Sequence, residues 1–142
     1  MRDFESTKAM VAALQPSYPV YCLRPEIIAE TARRFLDLFP GRVLYAVKCN
    51  PHPDVLRALY RAGIRPFDTA SLPEIAQVRE SFSDAACYFM HPVKGRAVIG
   101  TSARVYNIDT FVVDHPDELD KILKETGGAE GVTIFVRIKT PP

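Results

Sequence analysis

The chain has 142 residues, 47% of them hydrophobic and 25% charged, with a net charge of +1, which is ordinary for one soluble domain with its own core. Its 18 basic and 17 acidic residues are interspersed, so no basic stripe argues for nucleic-acid binding, and no apolar run reaches membrane-spanning length. The charged start Met1-Arg2-Asp3-Phe4-Glu5 lacks the apolar region of a signal peptide. Three widely spaced cysteines, Cys22, Cys49 and Cys87, suit reduced thiols in a cytoplasmic protein, and the three histidines, His52, His91 and His115, stand at no metal-ligand spacing.

Residues 1–17 are weakly patterned and read as an amino-terminal arm, in which Met10, Val11 and Leu14 form one apolar helical face before Pro16 breaks it. Tyr18 to Leu23 reads as a short strand, with Pro19 at its first residue or on a sheet edge. Pro25 suits the first turn of a helix, and Ile28, Thr31, Ala32, Phe35 and Phe39 recur at helical spacing until Pro40-Gly41. The run Val43-Leu44-Tyr45-Ala46-Val47 then leads straight into Lys48 and the breakers Asn50, Pro51, His52 and Pro53. A short apolar run bounded by breakers is the pattern of a buried parallel strand, whose carboxyl end is where ligands bind in α/β folds. A lysine there is expected to be poorly solvated, which favours its neutral amine, a nucleophile toward carbonyls. The plainer reading is a solvated lysine closing a strand.

Pro53 opens a helix with Val55, Leu56, Leu59 and Ala62 on one face and Gly63 as its stop. Ile64 to Asp68 is a strand with Asp68 at its carboxyl end. Ser71-Leu72-Pro73-Glu74 matches a capping box ahead of a helix through Ile75, Val78 and Phe82. Ala86 to Met90 is the next strand, ending at His91-Pro92. A weak helix follows over about Lys94 to Ala103, then a strand within Val105–Val113 centred on Phe111. Pro116 begins a helix with Leu119, Ile122 and Leu123 inward, closed by Gly127-Gly128. Val132 to Ile138 is mostly β-branched and the strongest strand of all. Strand centres at Tyr45, Phe67, Tyr88, Phe111 and Phe135 lie about 21 to 24 residues apart with a helix in each gap, a run of parallel β-α units.

Two architectures accommodate about five such units. One is a five-stranded flavodoxin-like open sheet, which the length favours. The other is the first part of an eight-stranded barrel of about 250 residues. The motifs favour the barrel, and so does the segment before the first helix. The final strand running directly to Pro141-Pro142 reads as a cut through a longer protein, with 18–142 as an incomplete barrel domain.

Tyr45-Ala46-Val47-Lys48-Cys49-Asn50 resembles the cofactor-lysine motif of the fold-type III pyridoxal phosphate-dependent decarboxylases, most closely the ornithine decarboxylase members with their Cys-Asn after the lysine. Four further stretches match in order: Phe67-Asp68-Thr69-Ala70-Ser71 with Glu74-Ile75, Met90-His91-Pro92-Val93-Lys94, Val113-Asp114 with Glu118-Leu119, and Val136-Arg137-Ile138. The resemblance runs from about Pro19 to Ile138 and covers only the amino-terminal half of that family.

It implies an alanine-racemase-like TIM barrel and pyridoxal 5'-phosphate as cofactor. Lys48 is then the Schiff-base lysine, Ala46 lies near the cofactor ring, Asp68 is a polar neighbour of Lys48, and Arg137 enters the pocket from the fifth strand. It further implies a homodimer and decarboxylation of a basic amino acid, ornithine to putrescine in polyamine biosynthesis first, diaminopimelate or lysine next. A non-catalytic relative that binds regulatory proteins is the rival from another class. Residues 1–142 alone are expected to be inactive, because the family's phosphate loop and the carboxylate on its ring nitrogen lie further along the chain. By the residues' own pattern, Glu74 is a helix cap, Cys49 points away from Lys48 as a core thiol, Asp68 could be a turn residue and Arg137 a solvated strand end. His91 stands where the family has asparagine and is given no catalytic role.

Overall fold

The structure is a computed structural model that describes residues 2–140. Among the described residues the elements run α1 (Thr7–Leu14), α2 (Pro25–Leu38), β1 (Tyr45–Ala46), α3 (Pro53–Arg61), β2 (Pro66–Thr69), α4 (Leu72–Ser81), β3 (Ala86–Phe89), α5 (Arg96–Tyr106), β4 (Thr110–Val113), α6 (Pro116–Thr126) and β5 (Thr133–Val136). Proline sits in the first turn of α2, α3, α4 and α6, where its missing N–H leaves no intrahelical bond unmade. Gly63 and Gly127, at φ +113° and +83°, take the left-handed turns that end α3 and α6. No helix is long and apolar enough to cross a membrane among the described residues.

The five strands form one parallel sheet in the order β1-β2-β3-β4-β5. That order decides between the two architectures. A flavodoxin-like sheet reverses direction at a switch point and carries helices on both faces. Strictly sequential strands joined by right-handed crossovers place every connecting helix on the same side, as in a barrel wall. Phe67, Cys87, Phe89, Phe111 and Val113 point to that side and pack with Leu56, Ile75, Val78, Ile99 and Ile122 into one core. The intervening residues line the other face, where Tyr88 and Phe135 meet edge to face at 6.1 Å.

Several sequence expectations need correction. Tyr18 to Leu23 forms no strand; it is an extended, mainly exposed segment, and Tyr21 is fully exposed. Apolar composition alone cannot supply the neighbouring strand that a ladder needs. Helix α5 runs on to Tyr106, past the end expected at about Ala103, while the fourth strand, Thr110–Val113, falls within the expected Val105–Val113. In the capping box, Ser71 makes no side-chain cap bond, and Glu74 accepts from the Ala70 amide at 2.8 Å, one residue earlier than expected. The strongest strand by composition is the least buried, with Phe135 and Val136 exposed, because β5 is an edge of the sheet.

One charged cluster lies inside the fold. Glu118, on the first turn of α6, accepts from the Lys94 ammonium at 2.9 Å and pairs with Lys121. Burial pushes the Glu118 carboxyl up, but hydrogen bonds from Lys121 and Lys94 outweigh it and hold the group below the ordinary 4.5. The folded state therefore gains from ionised Glu118 above about pH 4.5, and that gain fades as the pH falls through the lower folded value. Thermal unfolding between pH 3 and 7 is expected to show a loss of stability on acidification that Glu118→Gln makes shallower. An unchanged profile in the variant would remove Glu118 from the account.

Candidate functional site at the carboxyl end of the sheet

The lysine run does not continue as a strand. β1 is only two residues long, and Val47–Cys49 turn as a 3₁₀ segment. The turn is pinned on both sides. The Tyr45 hydroxyl donates to the Asn50 carbonyl at 3.3 Å, and the His52 amide donates to Asn50 Oδ1 at 3.1 Å. Gln77, on α4, donates to the Pro51 carbonyl at 2.6 Å. His52 Nδ1 then accepts from the Asp54 amide and caps α3. These bonds carry Lys48 out of the sheet and over its carboxyl end.

Two expectations fail for this reason. Lys48 is exposed, not desolvated within the wall. Cys49 is exposed too, because the alternation that would turn it into the core ends at Ala46. The core thiol is Cys87 instead, which burial pushes up to about 12 against the opposing charge of Arg79.

Ala46 and Asp68 are direct partners across β1 and β2, and Asp68 is in turn paired with Tyr88 on β3. All three lie on the face away from the helices. Asp68 is half-buried, and burial raises its carboxyl above the ordinary 3.8. Lys48 opposes that rise, Glu74 adds to it and Arg137 opposes it. Residues from three separate segments thus act on one carboxyl group. Arg137 stands just past β5, its amide donating to the Val113 carbonyl at 2.8 Å, and its side chain is exposed. Glu74 caps α4 and bears on Asp68 at the same time.

A carbon-detected titration of the Asp68 carboxyl is expected to give a midpoint above 3.8. Lys48→Met should move it further up, since a stabilising cation is lost, and Glu74→Gln should move it down. Shifts of the opposite sign would mean that these charges do not meet at Asp68.

Reading the sequence overlooked Tyr88. Its phenol oxygen, on the Asp68 row, accepts a hydrogen bond from the Arg42 guanidinium at 2.5 Å. Strict alternation between Cys87 and Phe89 was the available signal. His91 Nδ1 accepts from the Val93 amide at 3.1 Å, so the ring serves its own turn. Among the described residues no group of three or more histidine, cysteine or acidic side chains is placed to hold a metal.

A pyridoxal cofactor needs a reachable amine, a counter-charge beside it and an open face for its ring. Lys48, Asp68 and the small Ala46 side chain provide these features together, at the end of the sheet where parallel α/β folds bind ligands.

Comparison with known proteins agrees with this chemistry. The family model described as pyridoxal-dependent decarboxylase, pyridoxal binding domain, matches residues 4–141. A lysine/ornithine decarboxylase of Selenomonas ruminantium is 36% identical over 97 residues, 68% of this chain and 23% of that protein. A chloroplastic ornithine decarboxylase of Nicotiana glauca is 34% identical over 124 residues, 85% of this chain and 27% of that protein. The crystal structure of the Paramecium bursaria Chlorella virus arginine decarboxylase superposes with a TM-score of 0.78 at 26% identity, over 93% of this chain and 35% of that one. The chain thus spans about a quarter of the length of the curated relatives it matches. With a lysine-bearing turn, a sequential parallel sheet and a match to the pyridoxal binding domain over residues 4–141, the chain belongs to the pyridoxal-dependent decarboxylase family.

Proposed function

We propose that this chain supplies the lysine-bearing part of a pyridoxal 5'-phosphate-dependent decarboxylase acting on basic amino acids, ornithine first and lysine or diaminopimelate next. The observation that carries the reading is the match of residues 4–141 to a pyridoxal binding domain, with Lys48 on the turn that leaves β1 beside the Ala46–Asp68 pair. Two curated relatives with ornithine decarboxylase in their names support the order of substrates. The reading extends to a cytoplasmic homodimer that forms a diamine such as putrescine for polyamine biosynthesis.

Lys48 would hold the cofactor through its amine, a nucleophile toward carbonyls, and a substrate amine would compete for the same carbonyl. Ala46, beside Asp68 in the register, leaves room for a flat ring over the sheet. Asp68 places a carboxyl within electrostatic reach of the Lys48 amine, and its raised affinity for a proton suits it to proton exchange there. Arg137 contributes positive charge from the far edge and attracts an anionic group. When bound, the pyridine ring acts as the electron sink for the carbanion left by loss of carbon dioxide.

Pyridoxal phosphate followed by borohydride, with peptide mapping of the full-length polypeptide that carries this sequence, tests the assignment. Label confined to Lys48 is expected. Label spread evenly over the lysines would refute the site, and label at Lys48 without release of carbon dioxide from any basic amino acid would favour a binding role over an enzyme.

A further inference from the structure

β3 and β4 pair at a single register position, Phe89 with Phe111, whereas β2–β3 and β4–β5 each pair at four. Pairing is confined to Phe89, the last residue of β3, and the chain beyond it runs toward the candidate site without a ladder to β4. A ladder that stops leaves carbonyl groups without strand partners, and a buried carbonyl left unpaired is destabilising. Lys94 occupies the gap. Its ammonium, with 0% of the side chain exposed, donates to the His91 carbonyl at 3.0 Å and the Val112 carbonyl at 2.7 Å. It also meets Glu118 Oε1 at 2.9 Å, and the same oxygen accepts from the Lys94 amide at 3.0 Å. The Phe89 ring lies 5.8 Å from the ammonium. Burial lowers the affinity of this amine for its proton, and Glu118 and Asp114 oppose that while Lys121 adds to it.

The other end of the same turn is fastened to the site. The Met90 amide donates to the Thr69 carbonyl at 2.9 Å, and the Thr69 hydroxyl donates to the Tyr88 carbonyl at 2.9 Å. Thr69 follows Asp68 directly, and Tyr88 is the register partner of Asp68. One set of bonds thus runs from Glu118 through Lys94 and the His91–Val93 turn to Thr69, the residue after Asp68.

We propose that Lys94, seated on Glu118, is a positioning residue that wedges β3 from β4 and fixes the His91–Val93 turn, and through it Asp68, for cofactor binding at Lys48. The proposal rests on the function given above. It differs from a purely structural ion pair in one respect. Removing both charges of a buried pair often restores stability, whereas it cannot restore the two carbonyl bonds that only the ammonium makes.

The test uses the full-length polypeptide carrying this sequence, as wild type, Lys94→Met, and Lys94→Met with Glu118→Gln. Pyridoxal phosphate affinity is measured by equilibrium dialysis, thermal stability by unfolding, and local order by amide hydrogen exchange at Val93 and Lys94. Lys94→Met is expected to lose stability and to bind the cofactor roughly tenfold to a hundredfold more weakly, the scale of a small misplacement in a site. The double variant should regain stability but keep the weak binding and the fast exchange. Recovery of binding together with stability would overturn the proposal, and so would unchanged binding in either variant. Should Lys94→Met fail to fold, the double variant decides alone. Wild-type protein that takes up no pyridoxal phosphate would sink the proposed function instead, and the exchange rates would still judge the wedge.

Discussion

Lys48→Ala is expected to abolish decarboxylation by the full-length polypeptide, lowering the rate by at least about a thousandfold, or about 4 kcal/mol of transition-state stabilisation. In the proposed function the amine is the covalent handle for the cofactor. Without it the ring is held only by weaker contacts, and the positioning that brings a scissile bond into a productive geometry, worth up to roughly 7–11 kcal/mol, is largely forfeited. Lys48→Arg separates the two contributions of this residue. Arginine keeps the positive charge that bears on Asp68, but its guanidinium does not condense with a carbonyl at neutral pH. Both variants should therefore be inactive, while only the alanine should let the Asp68 carboxyl rise further. Stability is a separate matter. Lys48 is exposed on a turn held by Tyr45, Asn50, His52 and Gln77, so its removal should change unfolding free energy by no more than about 0.5 kcal/mol. Release of labelled carbon dioxide from ornithine and lysine, measured beside urea unfolding, checks both halves. Activity retained by Lys48→Ala would remove the lysine from the chemistry, and activity lost together with folding would make it a structural residue.

Phe67→Ala is expected to be the most damaging single change to the fold, costing about 3–5 kcal/mol. Phe67 is fully buried on the central part of β2. Its ring meets Tyr45 edge to face at 6.5 Å and lies parallel to Phe82 at 6.0 Å, and Phe82 in turn stacks on Tyr60 at 4.3 Å. The truncation would thus open a cavity between β1, the end of α4 and α3, at the point where the lysine turn begins. Phe67→Leu keeps most of the volume and should cost only about 1–1.5 kcal/mol. Urea midpoints at a constant slope give both values. A loss below about 1 kcal/mol for the alanine variant would mean that the helix-facing side of the sheet is not the close-packed core described above.

Much of this was legible locally. The α3 face of Val55, Leu56, Leu59 and Ala62 is buried as its 3.6-residue spacing requires, and Gly63 stops the helix in a left-handed turn. The Lys48 and Asp68 segments carry their own recognisable chemistry, and the family expected from them is the one that the comparisons found. Boundaries were less legible. The run from Val43 to Cys49 looks like one strand because five apolar residues precede the lysine, yet only Tyr45 and Ala46 find ladder partners, and the turn that follows is fixed by bonds from Asn50 and Gln77.

The sequence by itself determined the alternation of strands and helices, the lysine motif and the family, because each is written in a short window of residues. Tertiary structure alone decided three things. Strand order separated the barrel wall from the doubly wound sheet, since both are built from the same β-α units and differ only in which strands are neighbours. Exposure of β5 followed from its place at the edge, whatever its β-branched composition. The burial of Lys94 and Glu118 came from a contact between residues 24 apart. Read locally, both are ordinary surface charges. Only packing that takes both out of water together turns a lysine and a glutamate into an internal wedge, because neither charge alone could be buried without its partner.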